Sequence, residues 1–94
     1  MGAVIGLCTL ELFIGEANSL KDKRRVLKSL LEKSRARFNV SIAEVGQQEL
    51  WQRATVAFAC VSNERAHADQ MLSAVVRFME QMDAQITSYQ TEIL

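Results

Sequence analysis

The strongest constraint on the fold is a change of hydrophobic rhythm that occurs twice along the chain, from alternation at every second residue to repetition at every third or fourth. Alternation suits a pleated strand with one buried face, and the longer period lays an apolar stripe along a helix. Residues 3 to 14, AVIGLCTLELFI, place Val4, Cys8, Leu10, Leu12 and Ile14 on one face and Ala3, Ile5, Leu7, Thr9 and Glu11 on the other. Apolar density on both sides predicts a strand inside its sheet rather than at an edge.

Ser19 then stands where a helix cap belongs, with Asp22 three positions on. That spacing is a weaker form of the capping box and predicts a helix from Leu20 to Arg37. Leu20, Val26, Leu27, Leu30, Leu31 and Ser34 form its apolar stripe, which Phe38 closes. Residues 39–45 and 53–61 alternate again and predict an antiparallel hairpin, joined by the long connection GQQELWQ. Ser62 or Asn63 is placed to cap a second helix reaching Gln81, with Ala68, Met71, Leu72, Val75, Met79 and Met82 on its stripe, and AQITSYQTEIL closes the chain as a strand.

The order is β-α-β-β-α-β, which predicts an α+β fold with both helices on one face of a four-stranded antiparallel sheet. Right-handed crossovers put the first and third strands in the middle. The face without helices carries Ser41, Ala43, Val45, Thr55, Ala57, Ala59 and Val61. A flat patch of small side chains predicts a contact, and a homodimer through this helix-free sheet face is the expected partnership.

At 94 residues, 49% of them apolar and 23% charged, the chain suits a single domain over residues 1–94. A core this small gains from a subunit that covers more of its surface. No basic leader precedes the first apolar run, and Glu11 interrupts that run before it could span a bilayer, so the expectation is a cytoplasmic protein with no membrane partner. Cys8 and Cys60 stand far apart with no CxxC spacing and are expected to be buried free thiols.

The chemistry-bearing motifs of common enzyme classes do not occur. The single histidine, His67, begins the second helix, and neither a phosphate-binding glycine loop, an HExxH pair nor a paired-carboxylate motif is present. The chain is therefore expected to bind rather than catalyse, with no cofactor and no metal. Base stacking on the bare sheet needs aromatics at the outward positions of the third strand, and those positions hold Ala57 and Ala59, with Phe58 turned toward the helices.

Charge is the most informative feature left. Between Lys21 and Arg37 lie eight cations against Asp22 and Glu32, while the whole chain has formal charge zero. The molecule is thus dipolar. Lys21, Arg24, Arg25, Lys28 and Arg35 share one sector of the helix, and Lys23, Lys33 and Arg37 fall at the other edge of the apolar stripe. Guanidinium forks and ammonium groups so arranged suit a phosphate backbone. The alternative is a solvated helix face whose charges are neutralised by acids elsewhere. The only tryptophan, Trp51, sits in the hairpin connection beside Arg53, where it either covers an open edge of the core, fills a subunit contact or adds to a recognition surface.

SLKDKRRV at 19 to 26, RFNVSIAEV at 37 to 45, WQRA at 51 to 54 and VSN at 61 to 63 resemble the YlxP-like family of small bacterial proteins. The resemblance covers nearly the whole chain, and Cys8 and Cys60 are not part of it. It implies a ferredoxin-like fold and a domain of unknown function with no catalytic residues to carry over. Members are typically encoded among genes for transcription elongation, translation initiation and ribosome maturation, which implies an accessory role at ribosomal RNA or a ribosome-associated protein. Two expectations follow for Lys21, Arg24, Arg25, Lys28, Arg35, Trp51 and Arg53: contact with RNA, or contact with an acidic protein partner in which nucleic acid has no part.

Overall fold

The computed structural model describes residues 2–94, and every expected element forms in the expected order. These are β1 (Val4–Phe13), α1 (Leu20–Arg37), β2 (Ser41–Gly46), β3 (Arg53–Ser62), α2 (Arg65–Met79) and β4 (Gln85–Ile93). The sheet runs β2-β3-β1-β4 with all neighbours antiparallel, so β1 and β3 are central. This is the ferredoxin-like βαββαβ arrangement. The helix α2 packs across β1, β3 and β4, while α1 lies over β2 and beside α2.

The core forms where the two rhythms meet. Cys8, Leu10, Leu12, Val56, Phe58 and Cys60 point from the central strands into Leu27 and Leu30 of α1 and Leu72, Val75 and Met79 of α2. Phe38 meets Phe78 edge-on at 5.5 Å and closes the layer where α1 ends. Burial of this apolar set is the main drive to fold.

The differences from expectation are local. The Ser19 hydroxyl accepts the Asp22 N–H at 3.0 Å, as a cap should, but the Asp22 carboxylate reaches back to the Asn18 N–H at 3.1 Å. At α2 the cap position is Glu64, beyond both expected residues, Ser62 and Asn63, and without a side-chain cap. Ser62 instead accepts the Glu64 N–H from just outside the helix at 3.2 Å. The strand expected from residue 39 begins at Ser41, because a turn in which Val40 N–H donates to the Phe38 carbonyl precedes it. Two irregularities bend the edge strands, one leaving Val45 unpaired opposite β3 and one leaving Thr87 unpaired opposite β1.

Candidate functional site

The outward sector of α1 holds Lys21, Arg24, Arg25 and Lys28, all exposed. Among the described residues only two of the helix's cations make ion pairs: Arg25 with Asp22 at 3.4 Å and Lys23 with Glu44 at 3.0 Å. Among the described residues Lys21, Arg24, Lys28 and Arg35 have no carboxylate within ion-pair distance. Arg24, Lys28 and Arg35 line a shallow groove between α1 and β2 whose floor is Leu27 and Leu31, with Glu32 and Glu44 at its margin. Arg35 is not free, since its guanidinium donates to the Ile42 carbonyl on β2 at 2.8 Å.

Lys23 overturns the expectation of a cation at the stripe's edge. It is fully buried, and its ammonium donates to the carbonyls of Gln47 and Arg53, each at 2.8 Å. Glu44 Oε2 stands 3.0 Å from the same ammonium, within ion-pair reach but without the alignment of a hydrogen bond. The signal for this was present: Leu27, Leu30 and Ser34 stand four, seven and eleven residues on, the spacing of the buried face itself. A lysine on that face must find partners, because an unpaired buried ammonium is too costly to keep.

Those partners are the two ends of the β2–β3 connection. Gln47 adopts a left-handed backbone, φ 58°, and its amide donates to Glu11 Oε1 at 2.7 Å and Thr55 Oγ1 at 3.1 Å. Gln52 donates to the carbonyls of Gly15 and Ala17, and Ile14 N–H donates to the Gln52 carbonyl. The loop is thereby clamped to the first turn of α1 and to the β1–α1 connection. At its crest Trp51 is 56% exposed and Leu50 49%, so Trp51 does not cover the core. Arg53 lays its guanidinium over the Phe13 ring at 5.1 Å.

The structure places Lys21, Arg24 and Arg25 at the end of the molecule that carries the clamped loop and Trp51, with Lys28 and Arg35 farther along α1. Arg53, however, pairs with Phe13 and so turns its side chain to the helix-free face of the sheet, away from α1. Neither sequence spacing nor composition showed that Lys23 is the tie between helix and loop.

Other candidates carry less. Ala57 and Ala59 face outward on β3, flanked by Ala43 and Ser41 on β2 and by Thr9 and Leu7 on β1, and Phe58 is buried under the helices. His67 pairs through Nδ1 with the Ser62 hydroxyl at 2.9 Å in an exposed position, which serves the turn into α2. Cys8 and Cys60 are buried free thiols, and burial pushes Cys8 up to about 11, far from a reactive thiolate. Among the described residues no three His, Cys, Asp or Glu side chains are grouped to hold a metal, and no helix is long and apolar enough to cross a membrane.

Residues 5–91 match the family model described as "Protein of unknown function (DUF503)". The chain belongs to this family. It is 42% identical over 77 residues, 82% of this chain and 84% of the relative, to "Uncharacterized protein YlxP" of Bacillus subtilis (strain 168). The matched span of DUF503 includes all of α1, the clamped loop and Lys23. Among solved structures, the de novo designed protein Foldit4 is similar at a TM-score of 0.57 with 12% identity, covering 99% of this chain and 97% of its own. That likeness concerns fold alone.

Proposed function

We propose that this DUF503 protein is an accessory RNA-binding protein, without a reaction of its own, that meets ribosomal RNA or a ribosome-associated partner through the outward face of α1. One observation carries the reading: Lys21, Arg24 and Lys28 are exposed with no carboxylate in ion-pair reach among the described residues, and Arg25 has only its neighbour Asp22. Unneutralised cations on one rigid face attract a polyanion, and release of its condensed counterions favours the complex. Trp51, exposed on the loop clamped to the first turn of α1, offers an aromatic face on which an unpaired base can stack, while Arg53, stacked on Phe13 on the helix-free face, adds charge at that end of the sheet.

Binding of purified protein to ribosomal RNA fragments at two salt concentrations tests this. Wild type should bind more weakly as salt rises, by a slope of about −0.7 per phosphate neutralised on a single strand. The triple variant Arg24→Gln, Arg25→Gln, Lys28→Gln should fold and lose at least tenfold in affinity. Equal affinities would remove α1 from the interface. Failure of wild type to bind RNA at low salt, with salt-sensitive binding of an acidic protein in its place, would make the surface a protein-docking site.

A further inference from the structure

The sheet has two edges, and they are treated differently. On β2 the edge is short, interrupted by the bulge at Val45, and occupied in part by the Arg35 guanidinium on the Ile42 carbonyl. Charges, bulges and short length are the usual means of keeping an edge from pairing with another chain. On β4 the edge runs nine residues, and although it too has a bulge, at Thr87, and a single acid, Glu92, that bulge lies near its start and leaves Ser88 to Ile93 regular. Tyr89 pairs with Leu10 and so shares the side that carries the helices, yet it is 52% exposed, beyond the cover of α2.

We propose that two copies of the chain join through the outer edge of β4, antiparallel about a two-fold axis at Thr91, to form one continuous eight-stranded sheet. The direction of the peptide groups sets this register. Leu94 and Ile5 exchange both backbone hydrogen bonds, at 2.7 and 3.1 Å. Along an antiparallel ladder such pairs alternate with open ones, so Glu92, Gln90 and Ser88 turn their peptide groups toward β1, and Ile93, Thr91 and Tyr89 turn theirs outward. A two-fold at Thr91 sets outward groups against outward groups over the regular part of the strand. It also places Tyr89 of one copy beside Ile93 of the other, an aromatic and β-branched pair of the kind that stabilises sheets, and Gln90 beside Glu92. Centring on Tyr89 would drive the Thr87 bulge into the partner. A second copy fits this edge because the strand is self-complementary about Thr91: each Tyr89 meets an Ile93, and outward peptide groups meet outward peptide groups.

The Thr91→Cys variant reports on this contact directly. Directly opposed residues of a hydrogen-bonded antiparallel pair lie about 5.5 Å apart at Cα, inside the range a disulfide spans. Cys8 and Cys60 are buried, so the introduced thiol is the one exposed to reaction. Under mild oxidation Thr91→Cys should yield a disulfide-linked dimer, and Ser73→Cys, exposed on α2, should not. Light scattering should give wild type the mass of two chains. Thr91→Pro removes an outward N–H that β1 does not use, and Tyr89→Lys sets a charge against the apolar pair; either should shift the mass to one chain. A monomeric wild type would overturn the proposal, as would a dimer that does not cross-link at residue 91. A dimer through the helix-free face would give the latter result.

Discussion

Lys23 shows how one side chain can bind a helix to a loop in a distant part of the chain. Its stem continues the apolar face of α1, and its ammonium supplies donors to two carbonyls that the bend of the β2–β3 connection turns inward. Removing the charge leaves those carbonyls and the Glu44 carboxylate to find new partners, and breaking one side of a buried ion pair costs about 3 to 5 kcal/mol. Lys23→Met should therefore lower unfolding free energy by about 3 kcal/mol in urea titrations, and a second change, Glu44→Leu, should return part of the loss. A loss within about 0.5 kcal/mol, typical of an exposed lysine, would contradict the burial. The residue was hard to recognise in sequence because charge and position disagree there. Composition marks it as one more surface cation among eight, while its heptad spacing to Leu30 marks it as core, and only the partners from the loop decide between them. Ala57 and Ala59 posed no such conflict, since strand alternation alone gives their direction.

Elements were legible where a periodic stripe and a cap agreed. For α1, Ser19 and the run from Leu20 define both boundaries, and the helix spans the residues expected. For α2 two polar residues precede the stripe, and neither takes the cap position: the chain turns at Ser62 and starts the helix after Glu64. The bulges at Val45 and Thr87 were hidden because alternation shows which face a residue takes but not the length of its partner strand. The caps differ in energetic consequence. Ser19→Ala removes the acceptor of the Asp22 N–H and should cost about 1 kcal/mol, whereas Asn63→Ala, which removes no cap, should stay within about 0.5 kcal/mol. Urea unfolding of the two variants side by side checks the contrast, and equal losses would mean that the turn before α2 depends on Asn63.

At the scale of the whole molecule the charge is sorted across the sheet rather than along it. The basic helix lies over the β2 edge, while the region from Asn63 to Leu94, which includes α2 and β4, holds five acids against Arg65 and Arg77. Sequence alone revealed this asymmetry, but not its direction in space, which follows from strand order. That direction matters if the β4 edges pair. The two-fold would join the acidic sides and leave the basic helices at opposite ends of an eight-stranded sheet, with β2 strands seven spacings, or about 34 Å, apart. If α1 binds RNA as proposed, the two surfaces would then act as a linked pair, and an RNA long enough to reach both would bind the second at high effective concentration. Affinity of wild type should thus rise with fragment length, exceeding that of the monomeric Thr91→Pro variant on the longest fragments by on the order of a hundredfold, and the two proteins should converge on fragments too short to bridge. A titration of ribosomal RNA fragments of increasing length measures this. If both proteins gained equally with length, the added affinity would come from more phosphates within one surface, and the second helix would have no share in it.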